Sequence, residues 1–574
     1  MTQFPKERTV VLFLFLFSLF VFTRGLMLHG VEYRDDEIFY YQSTKEMVQE
    51  GDLLSPTYFG EDRFQKPILF YWLVILAYKV FGVNWFAARV TASLFAALTV
   101  VLTYLLAREF FARRVAFLSS MILMSMPLFL RHAKNVVPDM PLNLFIVAAV
   151  YCVVLFLKDT SKQRYNLLFY LCCSLGFMVK GFAAMVIPLG AAVIYALCLR
   201  RKGLIKELRI LRGIFLVLII VIPWFIYMAS RHGGSYLEYM IFEETKNRIV
   251  GYDQTHFLVV QIKRFAQNII FYGRTLLAYY LPWSLIAVLA LVFAPFSKKE
   301  PQENERNGLR LCYGWMVLTL FIFANMYFKI SHYVLVMTVP FAIWVAFIIL
   351  ESRSKIINGT IITMLLIIFG IGLFAFSFLA VFLASAPKWL LLVFLGGYLA
   401  TIGVVAINRD PIILPVIVSL FILFVFSQTN LMAEAGVTSH ATLQRFSKTI
   451  LEHSSDDYVV GVGSHDIHEK EFQVYFDKKI IKAGHSHAGT ARKQLQELFQ
   501  TDREVYCLLT QKDYNEYLPL FEPFQTKVIQ EEFMVRKRMK LDEQFAWALL
   551  GLDQETVRGY LMEKIVLLKK ENDG

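Results

Sequence analysis

The chain has 574 residues, of which 57% are apolar and 52 are phenylalanine, and its mean hydropathy is +0.52. That composition specifies a polytopic membrane protein. The net charge of +12 does not indicate nucleic acid, because the basic residues stand in short clusters between apolar runs, where positive-inside bias places them in any multispan protein. Apolar runs of roughly 20 residues suit helices crossing a hydrocarbon core of about 30 Å, so helices rather than a barrel are expected. Cys152, Cys172, Cys173, Cys198 and Cys312 fall within apolar runs and only Cys507 lies in the polar tail, which excludes a disulfide framework or a C-x-x-C metal site.

Lys6 and Arg8 precede an apolar run from Val10 to Phe22, and Arg24-Gly25 follows with no small-residue cleavage site, so the run is read as an uncleaved first helix. A long polar stretch from Glu32 to Trp72 comes next, opening on Arg34, Asp35, Asp36 and Glu37. A loop of that length in so apolar a chain is expected to carry function, here a reactive carboxylate at the membrane surface. Ile68 to Phe81, with Phe70, Tyr71 and Trp72, predicts an interfacial helix. Further spans are expected at 87–107, 113–131, 138–158, 165–179, 181–199, 211–230, 273–296, 309–327, 331–350, 357–384, 388–407 and 411–428. With the first helix they make about thirteen.

Charge supports an alternating topology with a cytoplasmic N-terminus: Arg108, Arg113 and Arg114, then Lys158, Lys162 and Arg164, then the cluster from Arg200 to Arg212, lie in every second loop. An odd number of spans puts the C-terminus outside. The outer loops, about 29–86 and 231–272 among them, then hold the unusual charges: Asp36 and Lys66, Arg131, His132, Lys134 and Asp139, Lys180, Arg248, and Lys329 with Tyr333. Any single Lys or Arg so close to a span end is also explained by snorkelling to the headgroups. Two domains are expected, a transmembrane part over 1–430 and an extracytoplasmic α/β part over 431–574. In the second, YVVGVG from Tyr458 and EVYCLLT from Glu504 read as strands, while ARKQLQELF from Ala491 and the last stretch from Glu555 read as helices. His465, His468, His485 and His487 lack partners at metal-ligand spacing and read as surface histidines.

In chain order, Asp36-Glu37, Lys66-Pro67 with Tyr71-Trp72, Asp139-Met140-Pro141-Leu142, Lys180-Gly181, Pro223-Trp224, Pro282-Trp283 and Lys329 with Tyr333 resemble the bacterial glycosyltransferases of the C-type membrane fold. Within them the pattern is similar to the aminoarabinose transferases of lipid A and to the protein mannosyltransferases, over residues 10–350. The resemblance implies an all-α polytopic fold and transfer of a sugar from a polyprenyl phosphate to a lipid, glycan or protein acceptor, on the outer face of a bacterial inner membrane. It implies Asp36 as general base, supported by Glu37, and Lys66, Arg248, Lys329 and Tyr333 as the groups that meet the donor phosphate. Asp139 has two readings, a second site carboxylate or a cap favoured by the helix dipole, and Lys180 is either a site group or a structural partner.

Where the aminoarabinose transferases carry a Glu and a His that resemble a metal site, this chain has Gln65 and Thr245, so no metal is expected there unless a register shift brings in Glu243 or Glu244. Phe39 stands where an Arg is common. The identity of the sugar is therefore open. From a different class, a lipid-linked-sugar flippase or transporter would show repeated halves and charges at mid-span, and the sequence shows neither.

Overall fold

The computed structural model describes residues 5–27, 36–239, 257–293, 300–351, 355–428 and 439–570, apart from short breaks within these ranges. Its residues divide into two compact units, the first made of 1–26, 40–370 and 400–427 and the second of 27–39, 371–399 and 428–574.

The first unit is helical. In order it holds α1 (Glu7–Thr23), most of α2 (Asp36–Glu50), α3 (Leu69–Phe81), α4 (Trp85–Arg108), α5 (Arg113–Ser125), α6 (Pro127–His132), α7 (Asp139–Lys158), α8 (Gln163–Lys180), α9 (Ala183–Cys198), α10 (Ile210–His232), α11 (Phe257–Tyr279), α12 (Trp283–Phe293), α13 (Glu303–Ala324) and α14 (Thr338–Glu351). A 3-10 turn over Ser331–Met337 leads into α14. Among the described residues, seven helices are long and apolar enough to cross a membrane, eight if one bent pair counts as a span, against about thirteen expected.

Proline accounts for part of the difference. The run 113–131 reads as one span, yet Pro127 has no N–H to give the preceding turn, and the helix ends at Ser125 and restarts as α6. The run 273–296 is likewise divided, with α11 and α12 meeting at 119° across the Pro282 segment. Much of the two expected outer loops is helical as well: α2 and α3 lie within 29–86, and α11 begins at Phe257 inside 231–272.

Small residues let the central helices approach. Ala87, Ala88, Ala92, Ala96 and Ala97 are fully buried along α4, which packs against α1, α5 and α7. Asn84 caps α4, its side chain accepting from the Ala87 amide at 2.9 Å. Two buried cations at the helix ends are spent on backbone carbonyls. Arg89 lies over the Trp85 ring at 4.6 Å and donates to Leu26 O at 2.7 Å. Lys134, one of the outer-loop charges picked out above, donates to Arg24 O at 2.9 Å and Phe426 O at 3.1 Å, tying the end of α1 to the end of the apolar helix Ile413–Ser427. Lys134 is a staple by this geometry.

The segment after α2 is pinned at both ends. The Glu46 carboxylate accepts from Thr57 Oγ1 and from the Phe59 amide, each at 2.8 Å, and so holds the small hairpin of β1 (Thr57–Tyr58) and β2 (Glu61–Asp62) against α2. Asp52 accepts from the Leu54 and Ser55 amides at 3.0 and 3.2 Å and pairs with Arg231. Ser55 Oγ lies 2.8 Å from His232 Nε2, and His232 Nδ1 lies 3.2 Å from Asp62. Two indoles complete the clamp, with Trp72 Nε1 donating to Leu53 O at 2.7 Å and Trp224 Nε1 to Leu54 O at 3.0 Å. The Tyr71-Trp72 and Pro223-Trp224 elements of the sequence pattern therefore fix the loop that precedes Lys66. Each indole bond is worth about 1 kcal/mol. Trp72→Phe and Trp224→Phe are each expected to lower the unfolding free energy by roughly that much and to speed proteolysis within 51–68, as limited digestion with mass-spectrometric mapping would record.

The second unit contains a five-stranded sheet in the order β4-β3-β5-β7-β6. Its strands are β3 (Tyr458–Val462), β4 (Ile481–Lys482), β5 (Glu504–Thr510), β6 (Thr526–Val535) and β7 (Met562–Lys570). The first three in sheet order run parallel, and β7 runs antiparallel to both of its neighbours, β5 and β6. Alternation sends Tyr506, Leu508, Ile565 and Leu567 to one face, under Phe446 and Ile450, and Val505, Cys507, Leu509, Val566 and Leu568 to the other, under Leu495, Leu498 and Phe521. Helices thus cover both faces. The stretch from Glu555 expected to be helical is helical only as far as Leu561; β7 follows, because IVLL must be apolar on both sides to lie between β5 and β6. Within the same unit, Val381 and Phe382 pack on Val557, Leu561 and Met562, and Gln554 Nε2 donates to Val381 O at 3.0 Å.

Candidate active site

Two helix ends meet in the first unit. Asp139 opens α7, where the N-terminal dipole favours a carboxylate. Lys180 closes α8, where the C-terminal dipole favours a cation, and Gly181 follows at φ +92°, a left-handed residue that stops the helix at that lysine. The Lys-Gly element is thus a device for leaving an ammonium on the last turn. Lys180 Nζ donates to Asp139 Oδ1 at 2.7 Å, and both side chains are largely buried, 12% and 9% exposed.

A charged pair withdrawn from water at the ends of membrane helices is expensive unless each charge is met, and the surroundings meet them. His332 Nε2 lies 3.8 Å from the same Asp139 oxygen. The His332 ring packs at 5.7 Å on the buried His132, whose Nδ1 donates to Leu128 O at 2.8 Å. Asp139 and Lys180 are thus helix-terminal residues and structural partners in one buried cluster. Sequence reasoning missed His332 as a member, although it sits beside Tyr333 in KISHY, and listed His132 only among the outer-loop charges.

Tyr333 is buried and stacks on Phe323 with centroids 4.6 Å apart, edge-on to His332 at 5.6 Å. Lys329, four residues earlier, is exposed, with Nζ 3.5 Å from Gln267 Oε1. Lys66 is half-buried and donates to the carbonyl of Gln65 at 2.9 Å, so the Gln65 position contributes its backbone to the lysine. Asp36 is the first residue of α2 and exposed, and Glu37 beside it is fully buried. Arg248, Glu243, Glu244 and Thr245 lie outside the described residues. Among the described residues no three His, Cys, Asp or Glu side chains group closely enough to hold a metal ion.

In electrostatic terms the Asp139–Lys180 pair is internally neutral, so Asp139 has already spent its charge on a partner. Of the other expected site residues, Asp36 is a carboxylate at a helix start, and Lys66 and Lys329 are ammonium groups on loops.

Residues 7–233 match the family model of the dolichyl-phosphate-mannose-protein mannosyltransferases. The chain is 31% identical over 372 residues to an uncharacterized protein of Aquifex aeolicus, a match covering 63% of this chain and 69% of that one. It is 30% identical over 343 residues to undecaprenyl phosphate-alpha-4-amino-4-deoxy-L-arabinose arabinosyl transferase 1 of Pseudomonas fluorescens, and there the match spans 58% of each chain. In fold, it superposes on the crystal structure of ArnT from Cupriavidus metallidurans bound to undecaprenyl phosphate with a TM-score of 0.67, at 16% identity and over 98% of both chains.

Proposed function

We propose, for a chain that belongs to the C-type-fold family of membrane glycosyltransferases, that it moves a sugar from a polyprenyl phosphate to a hydroxyl of a lipid A-like or other envelope acceptor. The observation that carries this reading is the buried Asp139–Lys180–His332 cluster at helix ends, because ionisable groups kept inside a membrane protein mark its site of action. The protein works at the outer face of a bacterial inner membrane, with its N-terminus cytoplasmic and the 431–574 part outside.

The acceptor oxygen attacks the anomeric carbon as the bond from that carbon to the phosphate oxygen breaks. Asp36 takes the acceptor proton, and the polyprenyl phosphate leaves with the electron pair of the broken bond. The product is inverted at the anomeric carbon. Lys66, Lys329 and Arg248 stabilise the charge that grows on the leaving phosphate, and the Tyr333 hydroxyl adds a neutral donor. Glu37 supports Asp36 at the start of α2. The Asp139–Lys180 pair holds the ends of α7 and α8 in register, so that the donor meets a preformed polar surface. No metal takes part; Gln65 offers a neutral amide where related enzymes carry a carboxylate.

The mannosyltransferase model over residues 7–233 favours a second reading, in which the acceptor is a protein hydroxyl and the same groups perform the same displacement. Mass spectrometry of envelope lipids, glycans and proteins from cells with and without the gene separates the two. Loss of one sugar mass from a lipid or glycan supports the first reading and loss from a protein the second. An unchanged profile, with sugar lipid accumulating on the cytoplasmic side, would replace both by a flippase.

A further inference from the structure

We infer that Asn143 is a specificity-determining residue for the transferred sugar, with its buried amide hydrogen-bonding a hydroxyl or amino substituent of that sugar. The inference rests on the donor reading above. Asn143 is fully buried in the second turn of α7, and neither its Nδ2 nor its Oδ1 has a hydrogen-bond partner among the described residues. Burying an amide with both ends unmet is costly, and a leucine of nearly the same size would fill the space without that cost. Two other buried polar side chains of the first unit are met: Ser93 donates to Ala133 O at 2.8 Å, and Lys134 to two carbonyls. Among the described residues, Asn143 is the one buried side chain with both of its polar atoms, donor and acceptor, left without a partner, which marks a place where stability has been exchanged for function.

Its position says which function. Asn143 follows Asp139 by four residues, so the two share a face of α7 with the amide roughly 6 Å deeper along the axis. That face is the one whose carboxylate meets Lys180 and His332. Of the three parts of the donor, the polyprenyl chain makes no hydrogen bonds and the phosphodiester anion only accepts them. A sugar hydroxyl or amine both donates and accepts, as a primary amide does, and only this part satisfies Nδ2 and Oδ1 together.

The test uses the full chain in an Asp36→Asn background, which stalls turnover, purified in mild detergent from its native host. Polyprenyl lipids that co-purify are quantified by mass spectrometry as the ratio of sugar-bearing to bare polyprenyl phosphate, and melting is measured after delipidation. Asn143→Leu is expected to melt at or above the parent temperature while the ratio falls about tenfold, the loss of one to two hydrogen bonds. Asn143→Ser, a shorter donor and acceptor, is expected to lower the ratio in the same direction. An unchanged ratio in both variants overturns the inference, and so does an equal loss of both lipids with a lower melting temperature, which would make Asn143 structural. A parent that carries bare lipid alone also overturns it. A parent that carries neither lipid overturns the donor reading itself, an outcome visible before any Asn143 variant is made.

Discussion

Replacing Asp36 by asparagine is expected to cut sugar transfer by about 10²- to 10⁴-fold, the usual contribution of a general base, with donor binding changed by less than about twofold. The side chain keeps its volume and loses only the ability to hold the acceptor proton. Asp36 is exposed at the first position of α2, where it is accessible to an acceptor and where the helix dipole favours the carboxylate. Single-turnover transfer measured beside equilibrium binding of the donor lipid separates the two effects. Near-normal turnover in the Asp36→Asn enzyme would remove the base assignment, and a parallel loss of binding would make Asp36 a donor ligand.

The second large effect concerns the pair joining α7 and α8. Lys180→Met leaves the Asp139 carboxylate buried beside His332 without its ammonium partner, and breaking a buried ion pair from one side costs roughly 3–5 kcal/mol. Asp139→Leu alone is expected to cost a similar amount by stranding the ammonium. The double variant Asp139→Leu with Lys180→Met removes both charges and is expected to recover about half or more of the lost stability, because an apolar pair of similar volume pays no desolvation. Activity is expected to stay low in all three variants. A double variant that regained transfer along with stability would show that the pair is structural alone, and additive losses would show that the two residues do not act as a unit.

Much of this site was legible because its residues are charged in a chain that otherwise avoids charge between its cytoplasmic clusters. Asp139 and Lys180 stood out at span ends for that reason, whereas the glycine after Lys180 as the device that stops α8 is visible only in the structure. Their pairing was not legible, since 41 residues and a full helical hairpin separate them. His332 was hidden because one neutral-looking histidine next to an aromatic reads as packing, and its nearness to Asp139 is a tertiary fact. Asn143 was hidden for the opposite reason, as a single polar residue in an apolar helix normally bonds its surroundings, and only coordinates reveal that it does not.

In the fold, periodicity and apolar length identified where helices lie but not where they break. Pro127 and the Pro282 segment divide runs that hydropathy alone joins. Lys134 stood among the outer-loop charges, and its ammonium is met by the carbonyls of Arg24 and Phe426, a pairing that sequence separation hides. The strand Met562–Lys570 was missed because an interior strand apolar on both faces has no alternation to distinguish it from a helix.

The most direct test of the central claim is a reconstituted transfer assay. Purified chain in proteoliposomes is supplied with polyprenyl-phosphate sugars extracted from its native host together with that host's envelope lipids, and both products are followed by mass spectrometry. The account predicts that bare polyprenyl phosphate appears in step with one sugar mass added to an acceptor lipid or glycan, and that neither appears with the Asp36→Asn protein. Sugar lipid that crosses the bilayer intact, with no bare polyprenyl phosphate released by the unaltered chain, would contradict it.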